Sequence, residues 1–175
     1  YFHGFPPDGM HPSFKFKLYI SDLGIADLYN PETSTNKFGG KFAFKAPEQH
    51  REVKMRGFAP DIFALGVLLT LLFSRAHPSG LSLSQIDKKS PKIKGGWASW
   101  ALNGERIVNV ADNAIKDTIT KMLSPYPSER PKIEDIFAVV NNSLLLYNAN
   151  IYKHINFYFE YFDGLDSDID EGQRD

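Results

Sequence analysis

At 175 residues, with 42% hydrophobic and 23% charged residues, the chain has the balance of one globular domain with tails and not of a disordered or fibrous polymer. A formal charge of −1 supplies no field to draw it to nucleic acid or to an anionic membrane surface, and no run approaches the roughly 20 apolar residues that span a bilayer. The absence of cysteine excludes disulfides and thiolate metal sites and suits a reducing, cytoplasmic setting.

The chain begins at Tyr1 and not at Met, which reads as a fragment of a longer product. Residues 1–13 hold Gly4, Pro6, Pro7, Gly9 and Pro12 and are expected to be irregular. Phe14, Phe16, Leu18 and Ile20 alternate with polar neighbours, a period of two that predicts a short, half-buried strand ending at Ser21-Asp22-Leu23-Gly24. From Leu28 to Phe44 the chain is polar, carries Gly39-Gly40 and shows no helical period, so a long surface loop is expected. Asp61 to Phe73, with Pro60 in front, is apolar nearly all round and predicts a helix enclosed by protein on every side. Between 75 and 112 only a short helix around Ser84 to Lys89 is placed.

Asn113 to Leu123 carries Ile115, Ile119, Met122 and Leu123 at helical spacing, with Asp112 or Asn113 as cap. Pro131 opens a further helix with Ile133, Ile136, Phe137 and Val140 on one face, which Asn141-Asn142 weakens. Residues 160–175 contain seven acids against Arg174 alone and are expected to form a solvated tail.

Four stretches in one order carry a resemblance: Lys17 to Gly24, ending in Asp22-Leu23-Gly24; Ala46-Pro47-Glu48, with Glu48 26 residues after Asp22; Asp61 to Leu69; and Ile119 to Ile136, with Glu129-Arg130-Pro131 inside it. Together they are similar to the landmarks of the protein kinase C-terminal lobe. The phrase from Asp61 to Phe73, with Trp97 and Trp100 beyond it, resembles Ser/Thr kinases of the calcium/calmodulin-dependent type. The resemblance implies a mainly α fold with a short β remnant: a kinase-like lobe over 14–140, an activation-like segment over 22–48, and an extension with the acidic tail over 141–175.

The same resemblance implies cofactor-binding roles for Asp22 and Gly24, with Asp22 as the magnesium ligand beside the ATP phosphates. Structural roles fall to Glu48, Asp61 and Arg130, and Arg130 is expected to pair with Glu48 through two parallel hydrogen bonds. Thr33, Ser34 and Thr35 are candidate phosphorylation positions, or else part of a plain polar loop. Asp22 read without the family is an ordinary turn residue before Gly24.

Departures from the family pattern set the functional expectation. Neither a Gly-rich loop nor its strand Lys is readable, and residues 1–14 hold His3 and Asp8 without a His-Arg-Asp motif. Lys41 stands where Ser/Thr kinases usually carry a Thr. The expectation is therefore a parent that transfers phosphoryl from Mg-ATP to protein Ser or Thr, with this fragment inactive alone and holding neither cofactor tightly. Its partners would be a protein substrate and an N-terminal lobe. The alternative is a pseudokinase-type binding module in signalling, and a third class is an unrelated helical adaptor, for which Glu48 and Arg130 would lie apart.

His3, His11, His50, His77 and His154 show no metal-ligand spacing and read as surface or loop residues. Trp97 and Trp100 read as packing residues. Asp166 to Gly172 imitates the opening of a calcium loop but has Glu171 at the sixth position, where Gly is needed.

Overall fold

The computed structural model describes residues 41–51, 57–86, 89, 91–92 and 94–157. The expected strand over 14–20 and the acidic stretch over 160–175 lie outside them. Among the described residues the helices run in the order α1 Pro47–His50, α2 Ala59–Ser74, α3 Leu83–Ile86, α4 Gly96–Asn103, α5 Asn113–Met122 and α6 Ile133–Tyr147, with a further helical stretch after α6. A 3-10 turn, Phe42–Phe44, precedes α1, and another, Pro127–Glu129, separates α5 from α6. Among the described residues the extended structure is one isolated antiparallel bridge, Ala76 to Ser82. The fold is mainly α.

The central post is α2. Pro60 opens it where a missing N–H costs nothing. The helix ends on Arg75, which adopts the left-handed conformation (φ 54°) and donates its N–H to the Leu71 carbonyl at 2.9 Å. Ile62, Phe63, Val67 and Leu71 form its buried stripe, joined in one core by Ala46, Trp100, Ala101, Val108, Ile119, Met122, Leu123 and Ile136.

The enclosure expected of α2 is incomplete. Leu68, Leu72 and Phe73 are 45%, 67% and 50% exposed, so protein covers one side of the post and leaves the other open among the described residues. An apolar helix must be covered somewhere for stability, but its sequence does not say on which flank.

Gly66 sets how closely α2 and α5 approach. A Cβ there would sit 2.9 Å from the Met122 Cβ and 3.2 Å from a Leu123 methyl. Gly66→Ala is expected to force the two helices apart at a cost of about 1–3 kcal/mol. Urea unfolding of the variant checks this, and a midpoint equal to wild type would show that the contact relaxes freely.

A side-chain cap opens α5. The Asp112 carboxylate accepts from the Ile115 N–H at 3.0 Å, and that bond, with a second from Ser143, holds its pKa below the usual carboxylate range. The last helix runs through Asn141-Asn142 to Tyr147. Buried Ile136 and Ser143 and half-buried Val140 fix it, and asparagine's small propensity penalty does not outweigh them. Ile133 and Phe137, expected on the packed face, are instead 51% and 64% exposed. Beyond Tyr147 the backbone turns at Asn148, whose side chain accepts from the N–H groups of Asn150 and Ile151, and residues 149–157 are helical.

Candidate functional site

Segment 41–50 packs on the helical core through Phe44 and Ala46. The Phe42–Phe44 turn closes with a Phe44 N–H to Lys41 carbonyl bond of 3.0 Å. Ala46 and Pro47 are buried at the entry to α1, and the Gln49 side chain reaches back to accept from the Ala46 N–H at 2.9 Å.

In the first turn of α1, Glu48 meets Arg130 from 82 residues away. The guanidinium donates to both carboxylate oxygens, Nη1 to Oε1 at 2.5 Å and Nη2 to Oε2 at 2.9 Å, and the two side chains are 1% (Arg130) and 11% (Glu48) exposed. The remaining donors of Arg130 reach the Ala59 carbonyl at the start of α2 (2.8 Å) and the Ser124 carbonyl after α5 (2.9 Å). A single cation therefore fastens three elements, and its flat face lies 5.1 Å from the centre of the Phe63 ring. Next to it the Ser124 hydroxyl donates to Glu129 at 2.5 Å and accepts from the Tyr126 N–H, which shapes the turn that delivers Arg130.

A second cluster surrounds His77. The ring is fully buried and stands 4.6 Å from the Trp100 ring and 5.0 Å from Trp97, with Phe44 at its edge. Its Nε2 bonds the Ala43 carbonyl at 2.8 Å, while Nδ1 accepts from the Ser79 N–H at 3.1 Å. Burial lowers its pKa to about 4, and the nearby Arg106 charge adds to the effect.

In the unfolded chain the same ring titrates near its ordinary 6.5. As pH falls through the interval from 6.5 to about 4, the unfolded state binds the proton first, so stability is complete above the interval and declines within it, by at most about 3 kcal/mol. Urea midpoints at pH 7 and pH 4.5 should differ in that direction, with the difference reduced in His77→Gln.

Arg106 closes α4. Its Nη1 donates to the carbonyls of Trp100 (2.7 Å) and Gly104 (2.6 Å), Nη2 to Ala101 (2.6 Å) and Nε to Leu123 (3.1 Å). The Ala101 carbonyl lies in the last turn of α4, where carbonyls lack intrahelical partners, while that of Trp100 also accepts from the Gly104 N–H; a cation at that end complements the helix dipole. The guanidinium stacks 4.5 Å from the Trp100 ring; burial lowers its pKa to about 10, so it remains charged at neutral pH.

The amino-acid sequence matches the protein kinase domain over residues 11–140. The chain belongs to the protein kinase family. It is 32% identical over 120 residues to the interferon-induced, double-stranded RNA-activated protein kinase of Rattus norvegicus, covering 68% of this chain and 21% of that protein. It is 25% identical over 170 residues to a receptor-type guanylate cyclase of Caenorhabditis elegans, covering 92% of this chain and 15% of that protein. The chain thus spans about a fifth or less of the length of these relatives.

Within this kinase domain the expected site residues divide by position. Asp22, Gly24, Thr33, Ser34 and Thr35 lie outside the described residues. Glu48 and Arg130 are brought together. Asp61 lies in the first turn of α2, exposed, and the partial cover over its carboxyl raises its pKa. Lys41 is exposed at the foot of the 42–44 turn. Among the described residues no cluster of three or more His, Asp or Glu could hold a metal ion, and no helix is long and apolar enough to cross a membrane.

Two residues that organise the kinase core escaped the sequence reading. His77, grouped there with surface histidines, is a fully buried core residue; His50 is half-buried with Nε2 lacking a partner, and His154 is exposed. Arg106 drew no attention because its partners are backbone carbonyls, which leave no side-chain motif. The signal available for His77 was its place between an apolar helix and Pro78.

Proposed function

We propose that this chain forms the helical lobe of a kinase domain which, joined to a nucleotide-binding half, transfers the γ-phosphoryl group of ATP to Ser or Thr hydroxyls of a protein substrate, and that this lobe does not turn over by itself. The observation that carries the reading is the bidentate pair of Glu48 and Arg130. It anchors the far end of the segment that starts at Asp22, leaving one fixed margin against which a protein substrate can be presented. The rat relative is itself named a protein kinase, which supports the reaction class.

In this reading Asp22 is the residue that would hold magnesium, and Gly24 allows the backbone close approach to the phosphates. The ion supplies neutralisation of the charge on the transferring phosphoryl oxygens. The chain's own described contribution is positional: α2 and Arg130 hold residues 46–48 rigidly, and rigid placement is most of what phosphoryl transfer asks of a protein.

One observation favours a second reading. Lys41 replaces the hydroxyl side chain expected beside the substrate, which suits a lobe retained as a protein-binding module. The deciding experiment is transfer of labelled γ-phosphate by the longest product of the reading frame that carries this chain, wild type against Asp22→Asn. Label on protein Ser or Thr, lost in Asp22→Asn, is the expected result. No transfer, together with no magnesium-dependent rise of the thermal midpoint on adding ATP, would overturn it in favour of the binding module.

A further inference from the structure

We propose that His77 is a latch for the Phe42–Phe44 turn, closed by the neutral ring and opened when the ring takes a second proton. The device goes beyond phosphoryl transfer, since it needs neither nucleotide nor substrate. Its basis is that both ring nitrogens have partners with fixed roles. A backbone carbonyl only accepts, so the bond to Ala43 places the single proton on Nε2. A backbone N–H only donates, so the bond from Ser79 requires a bare Nδ1. The Ser79 hydroxyl, 2.8 Å from Nδ1, completes the cradle by donating to the same lone pair.

A proton added at Nδ1 would break the bond from the Ser79 N–H, leave the Ser79 hydroxyl, turned to accept, as its one new partner, and place a cation in a fully buried site. The Ala43 carbonyl favours the charged ring, but burial and the nearby Arg106 charge oppose it. Arg106 acts on the ring as a like charge, and Glu105 beside it in the chain is exposed. Along α4 no side chain is titratable, and along α2 the one that is, Asp61, sits in the first turn. On α1, Glu48 is engaged by Arg130, and His50 is itself held below its ordinary pKa by burial and by Lys45. The lowered pKa of His77, about 4, agrees with this arrangement but is not its foundation.

Among the described residues no carboxylate bonds the ring, so a second proton brings a buried, unbalanced charge that is relieved when the ring leaves its cradle, and the Ala43 bond goes with it. The turn is suited to lift separately: it is three residues long and ends in Phe42, which is 63% exposed. Its other holds include the buried Ala43 methyl, the packing of Phe44 against the core and the His77 ring, and the stacking of Phe42 on His50.

The test is a pH titration followed by nitrogen and amide nuclear magnetic resonance on the purified chain, wild type and His77→Gln. Expected in the wild type are an Nε2–H tautomer at neutral pH and a ring titration below the ordinary imidazole range. The amides of residues 42–45 and 79 should shift with the same midpoint while those of Ile136 and Val140 stay unchanged. His77→Gln, whose amide can donate to Ala43 but cannot gain a proton, should lose that shared step. An Nδ1–H tautomer, stationary 42–45 amides through the ring titration, or loss of the α6 signals together with the turn would each overturn the latch. If the glutamine variant fails to fold, the wild-type ring and amide curves decide alone.

Discussion

Arg130→Ala is expected to destabilise the chain by about 3–5 kcal/mol, the usual cost of removing one partner of a buried, hydrogen-bonded ion pair. The cost comes less from the lost attraction than from what is left behind. Glu48 would keep a carboxylate that is 11% exposed with no cation beside it, and the carbonyls of Ala59 and Ser124 would lose their donors. Against a typical total stability of 5–15 kcal/mol, such a loss moves a large part of the population to the unfolded state.

Arg130→Lys should recover only a fraction, because an ammonium is a point charge and cannot span both carboxylate oxygens and two carbonyls at once. The double variant Glu48→Ala, Arg130→Ala should be less destabilised than the two single costs added, since neither charge is then stranded. Urea unfolding followed by circular dichroism measures all four proteins. A loss below about 1 kcal/mol for Arg130→Ala would place the pair in the weak class of exposed salt bridges.

Phe63→Ala should cost a comparable amount, about 3–5 kcal/mol, by opening a cavity where α2, α4, buried Arg130 and half-buried Arg106 converge. The ring is fully buried, meets Trp100 edge-on at 6.2 Å, and lies under the guanidiniums of Arg130 (5.1 Å) and Arg106 (5.8 Å). Phe63→Leu separates volume from ring chemistry. It fills most of the space, so a loss under about 1.5 kcal/mol is expected from packing, and any excess measures the cation–π contribution. Because Phe63 and Arg130 touch, their combined variant should depart from additivity by more than the roughly 0.5 kcal/mol allowed for independent sites.

What could be read in advance followed from local chemistry. Pro60 and the apolar run behind it marked α2, and the spacing of Ile115, Ile119 and Met122 behind Asp112 marked α5, because caps and periodicity act within a few residues. The order of Ala46-Pro47-Glu48, Asp61 and Arg130 pointed to the family. Missing from the reading were features that depend on distant partners. His77 is buried by a bond to Ala43, 34 residues away, and Arg106 by four carbonyls that any sequence supplies. The exposure of Leu68 and Leu72 among the described residues was invisible for a related reason, since composition shows that a helix is apolar but not which flank is covered. In α6 tertiary contacts overrode Asn141-Asn142, as packing routinely overrides weak propensities.

The aromatic ring pair around His77 also makes the protein its own optical reporter. The chain has 2 tryptophans, and both belong to α4, their rings 6.0 Å apart and each within 5.0 Å of the imidazole. Intrinsic emission therefore samples a single small volume between the 42–44 turn and α2, while circular dichroism averages over every helix. If the two signals give the same unfolding midpoint, the whole chain melts as one cooperative body. If emission changes first, the neighbourhood of α4 is a separate, weaker unit of the fold.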